Sequence, residues 1–277
     1  MLSDRHHIYQ DLANAIQTET FTDYRTLVLE ELDSDMVTIP DLILAIGTRA
    51  CETALQLTWQ HSDIVCTFLP SQTFIQLVEK YRTGPAVATA GVTAIFMDQP
   101  LQRQILLARL IAPSAQSIGT VFGSSSVYQQ QAFMALSRAA GFEAQHAFLD
   151  EQQNPVQVLT PLIQRSDVFL SLPDSASFNR NVTRWSLYIT LRNRVPLIGF
   201  SASYAEAGAV VSMYTTPQQL AKQTSQVLSQ LTSTDIMPAP AYPVEFTLNI
   251  NQSAARTLRL DLPAADVLTQ HLTEVFP

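Results

Sequence analysis

A chain of 277 residues, 47% of them hydrophobic, can bury one large core or two modest ones. No apolar run approaches the roughly 18–20 residues of a membrane-crossing helix. The formal net charge is −8 and the pI about 5.0, with Lys80 and Lys222 the only lysines. A net acid with no Lys/Arg-rich block is a poor partner for nucleic acid or an anionic membrane.

Short apolar or β-branched runs alternate with longer amphipathic ones, the signature of βα units around a parallel sheet. "IYQDLANAIQTE" predicts a helix with Ile8, Leu12, Ala15 and Ile16 on one face; "TLVLEEL" and "DLILAIG" (41–47) follow as strands. Thr48 opens a helix to about Trp59, "DIVCTFL" is a strand, "SQTFIQLVEKY" a helix and "VTAIFMD" a strand. After Asp98-Gln99-Pro100 the rhythm restarts with the helix "LQRQILLARLIAP", stopped by Pro113, and the strand "SIGTVFG". Ser124 or Ser125 caps a helix to Ala140, with Gly141 as its stop. Then come "EAQHAFL" as strand, "VQVLTPLIQR" as helix, "SDVFLSL" as strand, "FNRNVTRWSLYITLRN" as helix, and "VPLIGFS" and "AVVSMY" as strands. A helix from Pro217 to Leu231, the linker "STDIMPAPAYP", a strand "VEFTLNI" and a helix near 264–275 complete the chain. Two βα series broken near 98–100 predict two α/β lobes.

Cys51 falls early in a predicted helix and Cys66 in a predicted strand, both in apolar company. Two buried free thiols are the expectation; a disulfide is the alternative, and it needs an oxidising compartment and close Cα atoms. "MLSDRHHIYQ" has no apolar core of a secretory leader.

In parallel α/β sheets ligands sit beyond the carboxyl ends of the strands. Those positions here are Ser3-Asp4, Gly47-Thr48-Arg49, Pro70-Ser71, Gly123-Ser124-Ser125-Ser126, Pro173-Asp174-Ser175 and Ser201-Ala202-Ser203-Tyr204. Hydroxyl-rich helix starts hold anions through unpaired N–H groups and the helix dipole, but the same residues are the preferred N-caps of any helix. Six such ends together point to a small polar ligand.

Catalytic and cofactor readings fare worse. None of His6, His7, His61, His146 and His271 stands at metal-ligand spacing from Cys or Glu, so no metal is expected. No G-x-S-x-G elbow, Walker loop or G-x-G-x-x-G is present. The expectation is a protein that is not an enzyme and carries no cofactor.

Several segments together resemble the substrate-binding proteins of bacterial ABC transporters, in the branch that includes tryptophan and aromatic amino-acid binders. They are "AIGTRA" (45–50), "IAPSAQSIGTVFGSSS" (111–126), "SDVFLSLPDSASFN" (166–179), "VPLIGFSASYAEAGAVVSMYTTPQQLAKQTSQVL" (195–228) and "FTLNINQSAARTLRLDLP" (246–263). The resemblance implies an α/β fold of type I periplasmic-binding-protein architecture: two Rossmann-like lobes with parallel sheets, three crossovers and the ligand between the lobes. It assigns 1–98 plus 212–237 to the first lobe and 99–211 plus 238–277 to the second.

The same resemblance implies that Thr48 and neighbouring amides take a ligand carboxylate, with Ser71 nearby, while Asp174 takes an ammonium. A carboxylate suits that role because charge-assisted bonds to N⁺–H exceed neutral ones in strength. Asp174 as N-cap of the following helix remains the alternative. Arg49, Ser124, Ser125, Ser175, Ser201 and Tyr204 complete the candidate ligand-binding set, and Tyr9, Phe74, Tyr128 and Phe178 are aromatic candidates. Where relatives have a small residue or proline after "GT", this chain has Arg49, which favours a ligand with an extra anionic group. Where they have Asp-Asn, it has Asp174-Ser175.

Relatives also carry an opening strand before the first helix, where "MLSD" stands here. The resemblance therefore implies a leader and most of that strand outside this sequence, and an unpaired slot in the first lobe's sheet. The resulting expectation is a periplasmic or lipid-anchored monomer that binds a small molecule and hands it to an ABC permease. A sensor of the same fold serving a signalling partner is the first alternative, and an α/β enzyme the second.

Overall fold

The alternation of branched apolar runs with amphipathic ones yields two sheets, one parallel and one parallel except at its last strand, each in its own unit of the chain. The computed structural model describes residues 1–20, 25–31, 40–56, 62–82, 91–174, 179–234 and 236–275. One unit comprises Met1–Asp98 and Thr215–Glu245; the other comprises Gln99–Tyr214 and Phe246–Pro277.

In the first unit, β1 (Leu42–Ile46), β2 (Asp63–Leu69) and β3 (Val92–Phe96) form a parallel sheet in that order. Leu2 bridges Val28 on one side and Ile46 on the other, and Ala241 bridges Ile95, all in parallel sense. The period of two sorts strand residues between the faces. Val65 and Ile95 pack with Leu12 and Ile16 of α1 (His7–Thr20) and Leu220 and Leu228 of α9 (Pro217–Thr234). Ile64, Cys66 and Ala94 pack with Ala50 and Ala54 of α2 (Thr48–Gln56) and Leu77 of α3 (Ser71–Tyr81).

Two expectations are corrected in this unit. Cys51 and Cys66 are joined as a disulfide between α2 and β2, with Cα atoms 5.5 Å apart, and are not free thiols. The helix face and strand face that bury them are the same interface, which brings the two sulfurs together. The predicted strand 26–32 shrinks to a bridge at Val28, and a 3-10 turn follows at Leu29–Glu31. The predicted helical end at Trp59 lies outside the described residues.

The expected unpaired slot is filled at Leu2, whose N–H donates to Leu27 O at 2.8 Å and whose carbonyl accepts from Leu29 N–H at 3.1 Å. Directly upstream, the Met1 α-ammonium donates to Leu44 O at 2.8 Å, and burial lowers its pKa from an ordinary 8.0 to about 6. An unfolded chain holds that proton up to about pH 8, and the folded chain releases it near pH 6. The unfolded state therefore binds more protons within this window, so stability rises from pH 6 to pH 8, by up to roughly 3 kcal/mol. Urea midpoints at the two pH values test this; equal midpoints would mean that the amine is solvated.

The second unit has the strand order β5-β4-β6-β7-β8-β9. These are β4 (Ser117–Phe122), β5 (Glu143–Phe148), β6 (Val168–Leu170), β7 (Leu197–Gly199), β8 (Val211–Tyr214) and β9 (Thr247–Ile250). All pairs are parallel except β8 with β9. Around the sheet lie α4 (Leu101–Ile111), α5 (Gln130–Ala139), α6 (Pro155–Ile163), α7 (Arg180–Asn193), α8 (Ala202–Ala207), α10 (Gln252–Leu258) and α11 (Ala265–Val275). Residues 212–214 were expected in the first lobe; they belong to this sheet, because β8 pairs with β7 and β9. The first unit's second segment instead extends to Glu245, held by the Ala241–Ile95 bridge and the Lys222–Glu245 ion pair.

Candidate functional site

Strand order locates the site before any side chain is considered. In the second unit the order reverses between β4 and β6, and ligands of doubly wound sheets sit at the carboxyl ends flanking such a reversal. The loops there are Gly123–Ser126 and Ser171–Asp174. They meet: Ser125 N–H donates to Asp174 Oδ2 at 3.1 Å, and Asp174 is only 5% exposed. A Cβ on Gly123 would lie 2.5 Å from Asp174 Oδ1, so glycine is what lets the carboxylate lie against the loop. The loop is locked by its own bonds, with Gly123 N–H donating to Ser126 Oγ and Val127 N–H to Gly123 O, both at 3.0 Å.

Gly123→Ala should therefore displace the carboxylate or the loop and cost about 1–3 kcal/mol, as overpacking does. Chemical denaturation measures it, and an unchanged midpoint would show that Asp174 can withdraw freely.

The remaining candidates of this unit divide. Ser124 is exposed and Ser125 half-buried, and neither hydroxyl has a partner among the described residues. Ser201 Oγ lies 2.9 Å from Ser203 Oγ. Tyr204 is a core residue packed over Gly199, its hydroxyl 2.8 Å from Thr183 Oγ1, and burial pushes its pKa up to about 12. Ser175 and Phe178 lie outside the described residues.

In the first unit the bridges extend the order to Val28, Leu2, β1, β2, β3, so the reversal falls between Leu2 and β1. Ser3 and Gly47 occupy the two carboxyl ends. Ser3 Oγ donates to Ile46 O and accepts from Ala50 N–H, both at 3.0 Å, thereby capping α2 from a distant part of the chain. Gly47 has φ +93°, and a Cβ there would strike Ser3 and the Tyr9 ring. Cys51 N–H bonds Gly47 O, which leaves the Thr48 and Arg49 amides and the Thr48 hydroxyl without partners among the described residues. A helix start with open amides beside a half-buried hydroxyl can take a carboxylate. Arg49 is exposed. Burial raises the Tyr9 pKa, the Asp4 charge adds to that, and the Arg49 guanidinium opposes it.

Ser71 is differently engaged. Its N–H donates to Asp98 Oδ1 and its hydroxyl to Oδ2, both at 2.6 Å, and Tyr242 OH donates to the same hydroxyl at 3.2 Å. Burial raises the Asp98 pKa against the opposing effect of the Ser71 bonds. The Ser71 proton is thus committed to a neighbouring carboxyl group. Sequence reasoning passed over Asp98, although it ends a predicted strand, and Tyr242, which sits in a linker with no local signal. It also passed over Phe68, whose φ of 59° marks a bulge at the end of β2 and whose ring edge meets Tyr9 at 5.7 Å between centroids.

Among the described residues no helix is long and apolar enough to cross a membrane, and no group of three His, Cys, Asp or Glu side chains could hold a metal ion. Two doubly wound α/β units exchanging chain three times, with polar groups at the carboxyl ends of their strands, define a type I periplasmic-binding-protein fold. The profile of the ABC transporter substrate binding protein family matches residues 32–271, and the chain belongs to that family.

Solved structures agree on the fold. A ligand-free, open substrate binding protein with adhesive properties from Clostridium difficile is 17% identical with a TM-score of 0.69, over 95% of this chain and 94% of that one. An ABC domain from Streptococcus pneumonia in complex with L-Trp is 17% identical with a TM-score of 0.66, over 97% and 96%. A conserved domain protein from Vibrio cholerae is 20% identical with a TM-score of 0.60, over 93% and 82%. No curated protein matches the sequence.

Proposed function

We propose that the protein is the solute-binding component of a bacterial ABC import system and that its ligand is an amino acid or a related ammonium-bearing carboxylate. The observation that carries this reading is Asp174, a buried carboxylate at the strand-order reversal of its sheet, set against a glycine and a backbone amide. In this reading Asp174 takes the ammonium, while Thr48 and the open amides of Thr48 and Arg49 take the carboxylate. Arg49 adds a cation beside that second position and favours a ligand with a further anionic group. The L-Trp complex of the Streptococcus relative supports the amino-acid class, and the Arg49 side chain argues for a member more acidic than tryptophan. The Cys51–Cys66 disulfide supports a working place outside the reducing cytosol, consistent with delivery of solute to a permease at the outer face of the membrane.

A thermal-shift screen of amino acids, dicarboxylic amino acids and simple dicarboxylates tests the reading. A ligand at 100 times its Kd adds about 2.7 kcal/mol of stability. A shift confined to compounds with an ammonium group is expected; a best ligand without one would overturn the assignment of Asp174.

A further inference from the structure

In the second unit, helix α7 turns an unusual face to solvent. Val182, Ser186, Ile189 and Thr190 form its buried side, and positions 180, 184, 187, 188 and 191 fall on the opposite side at helical spacing. Such an outward stripe is normally polar throughout; this one reads Arg, Arg, Leu, Tyr, Leu. Tyr188 is 51% exposed and Leu191 48%. Together with Ala207 and Gly208 at the end of α8, the stripe lines a groove of about 460 Å³. The α8 wall is made of small residues, and a Cβ on Gly208 would meet nothing within 4 Å, so the groove is open on that side. The Tyr188 ring is held in place: the Arg192 guanidinium donates to its hydroxyl at 3.1 Å, and its edge meets Trp185 at 5.9 Å between centroids. A fixed aromatic loses little freedom when something docks on it. The charge of the groove opposes that of the chain. The net charge is −8, yet α7 carries Arg180, Arg184 and Arg192 and no acid. Neither Arg180 nor Arg184 has a side-chain ion pair or hydrogen bond among the described residues, and Glu206, the one acid of α8, does not line the groove.

We propose that this groove docks a helical segment of a protein partner, which sets acidic side chains against Arg180 and Arg184 and an apolar one against Leu187, Tyr188 and Leu191. Acidic character follows from the two guanidiniums, which a carboxylate meets with charge-assisted bonds. Apolar character follows from the leucines and the tyrosine ring that floor the groove, and Tyr and Arg are residue types enriched at protein interfaces. Length follows from the stripe, which covers about three turns of α7 between Arg180 and Leu191. A lipid surface fits less well. An anionic bilayer repels a chain of net charge −8, and a concave groove complements a ridge of helix side chains rather than a flat sheet of headgroups.

The test pans a random library of peptides about 11 residues long, three helical turns, on the full chain. The expected result is enrichment of sequences with Asp or Glu one helical turn from Leu, Met or Phe. Synthetic copies should bind the parent at least about tenfold more tightly than they bind either of two variants, Arg180→Glu with Arg184→Glu, and Leu191→Ser. All three side chains are exposed, so an unliganded melting temperature close to that of the parent serves as the folding control for each variant. A library that yields no acidic apolar sequences, or enriched peptides whose affinity survives both variants, would overturn the proposal. Binding of the parent to phosphatidylglycerol vesicles that the same variants abolish would also overturn it, in favour of a lipid surface.

Discussion

Asp174→Asn is expected to weaken ligand binding by about 30-fold to several thousand-fold while leaving the unliganded melting temperature close to that of the parent. Removing one partner of a buried, hydrogen-bonded charge pair costs ~2–5 kcal/mol, much of it from stranding the other charge, and ~1.4 kcal/mol is tenfold in affinity. The amide keeps an oxygen to accept the Ser125 N–H and fits the space left by Gly123, so the loop contact survives. What is lost is the negative charge. Titration calorimetry reads the affinity and scanning calorimetry the unliganded stability. A large fall in unliganded stability with little change in affinity would make Asp174 a structural residue of the loop pair.

Replacing both cysteines, Cys51→Ala with Cys66→Ala, is expected to destabilise the protein by about 3 kcal/mol. The disulfide closes a separation of 15 residues, and a cross-link over a loop of that length restricts the unfolded chain by about this amount. Both side chains are fully buried between α2 and β2, so the smaller alanines add a packing loss to the entropic one. The comparison is a urea unfolding curve of the parent with and without reductant beside that of the double variant. Coincident curves in all three cases would mean that the bond contributes nothing to folding. Because α2 begins at Thr48, which the proposed function sets against the ligand carboxylate, the loss should also loosen that helix start and appear as weaker binding.

Much of this architecture is legible in the chain because strands such as 63–69 and 117–122 are short runs rich in branched and aromatic residues, separated by longer amphipathic stretches. The misreadings have identifiable physical causes. The six-residue helix at Ala202–Ala207 is too short to show an amphipathic period, and Gln252–Leu258 is announced only by Asn251, whose side chain caps it. The run 26–32 is as apolar as a strand, but pairing beyond Val28 gives way to a 3-10 turn. Residues 212–214 read equally well as a strand of either unit, since the partners that decide it, β7 and β9, are far apart in sequence.

Of the proposed site, Asp174, Thr48 and Arg49 stand among the six strand ends that local pattern picks out, and the ligand roles proposed for Thr48 and Asp174 come from the family resemblance. The couplings between distant segments carry no such signal. Ser3 caps α2 across 47 residues, and Tyr242 reaches Ser71 across 171. The commitment of Ser71 to Asp98 is of the same kind: two strand ends adjacent in the sheet, separated in sequence by a helix and a strand.

The most direct test of the account compares a bound amino acid with its des-amino analogue, the same carboxylic acid lacking only the ammonium, by titration calorimetry on the parent protein and on Asp174→Asn. The account predicts that the parent prefers the amino acid by at least about 30-fold and that most of this preference disappears in the variant. An analogue that binds the parent as tightly as the amino acid, or a preference that survives in Asp174→Asn, would contradict it.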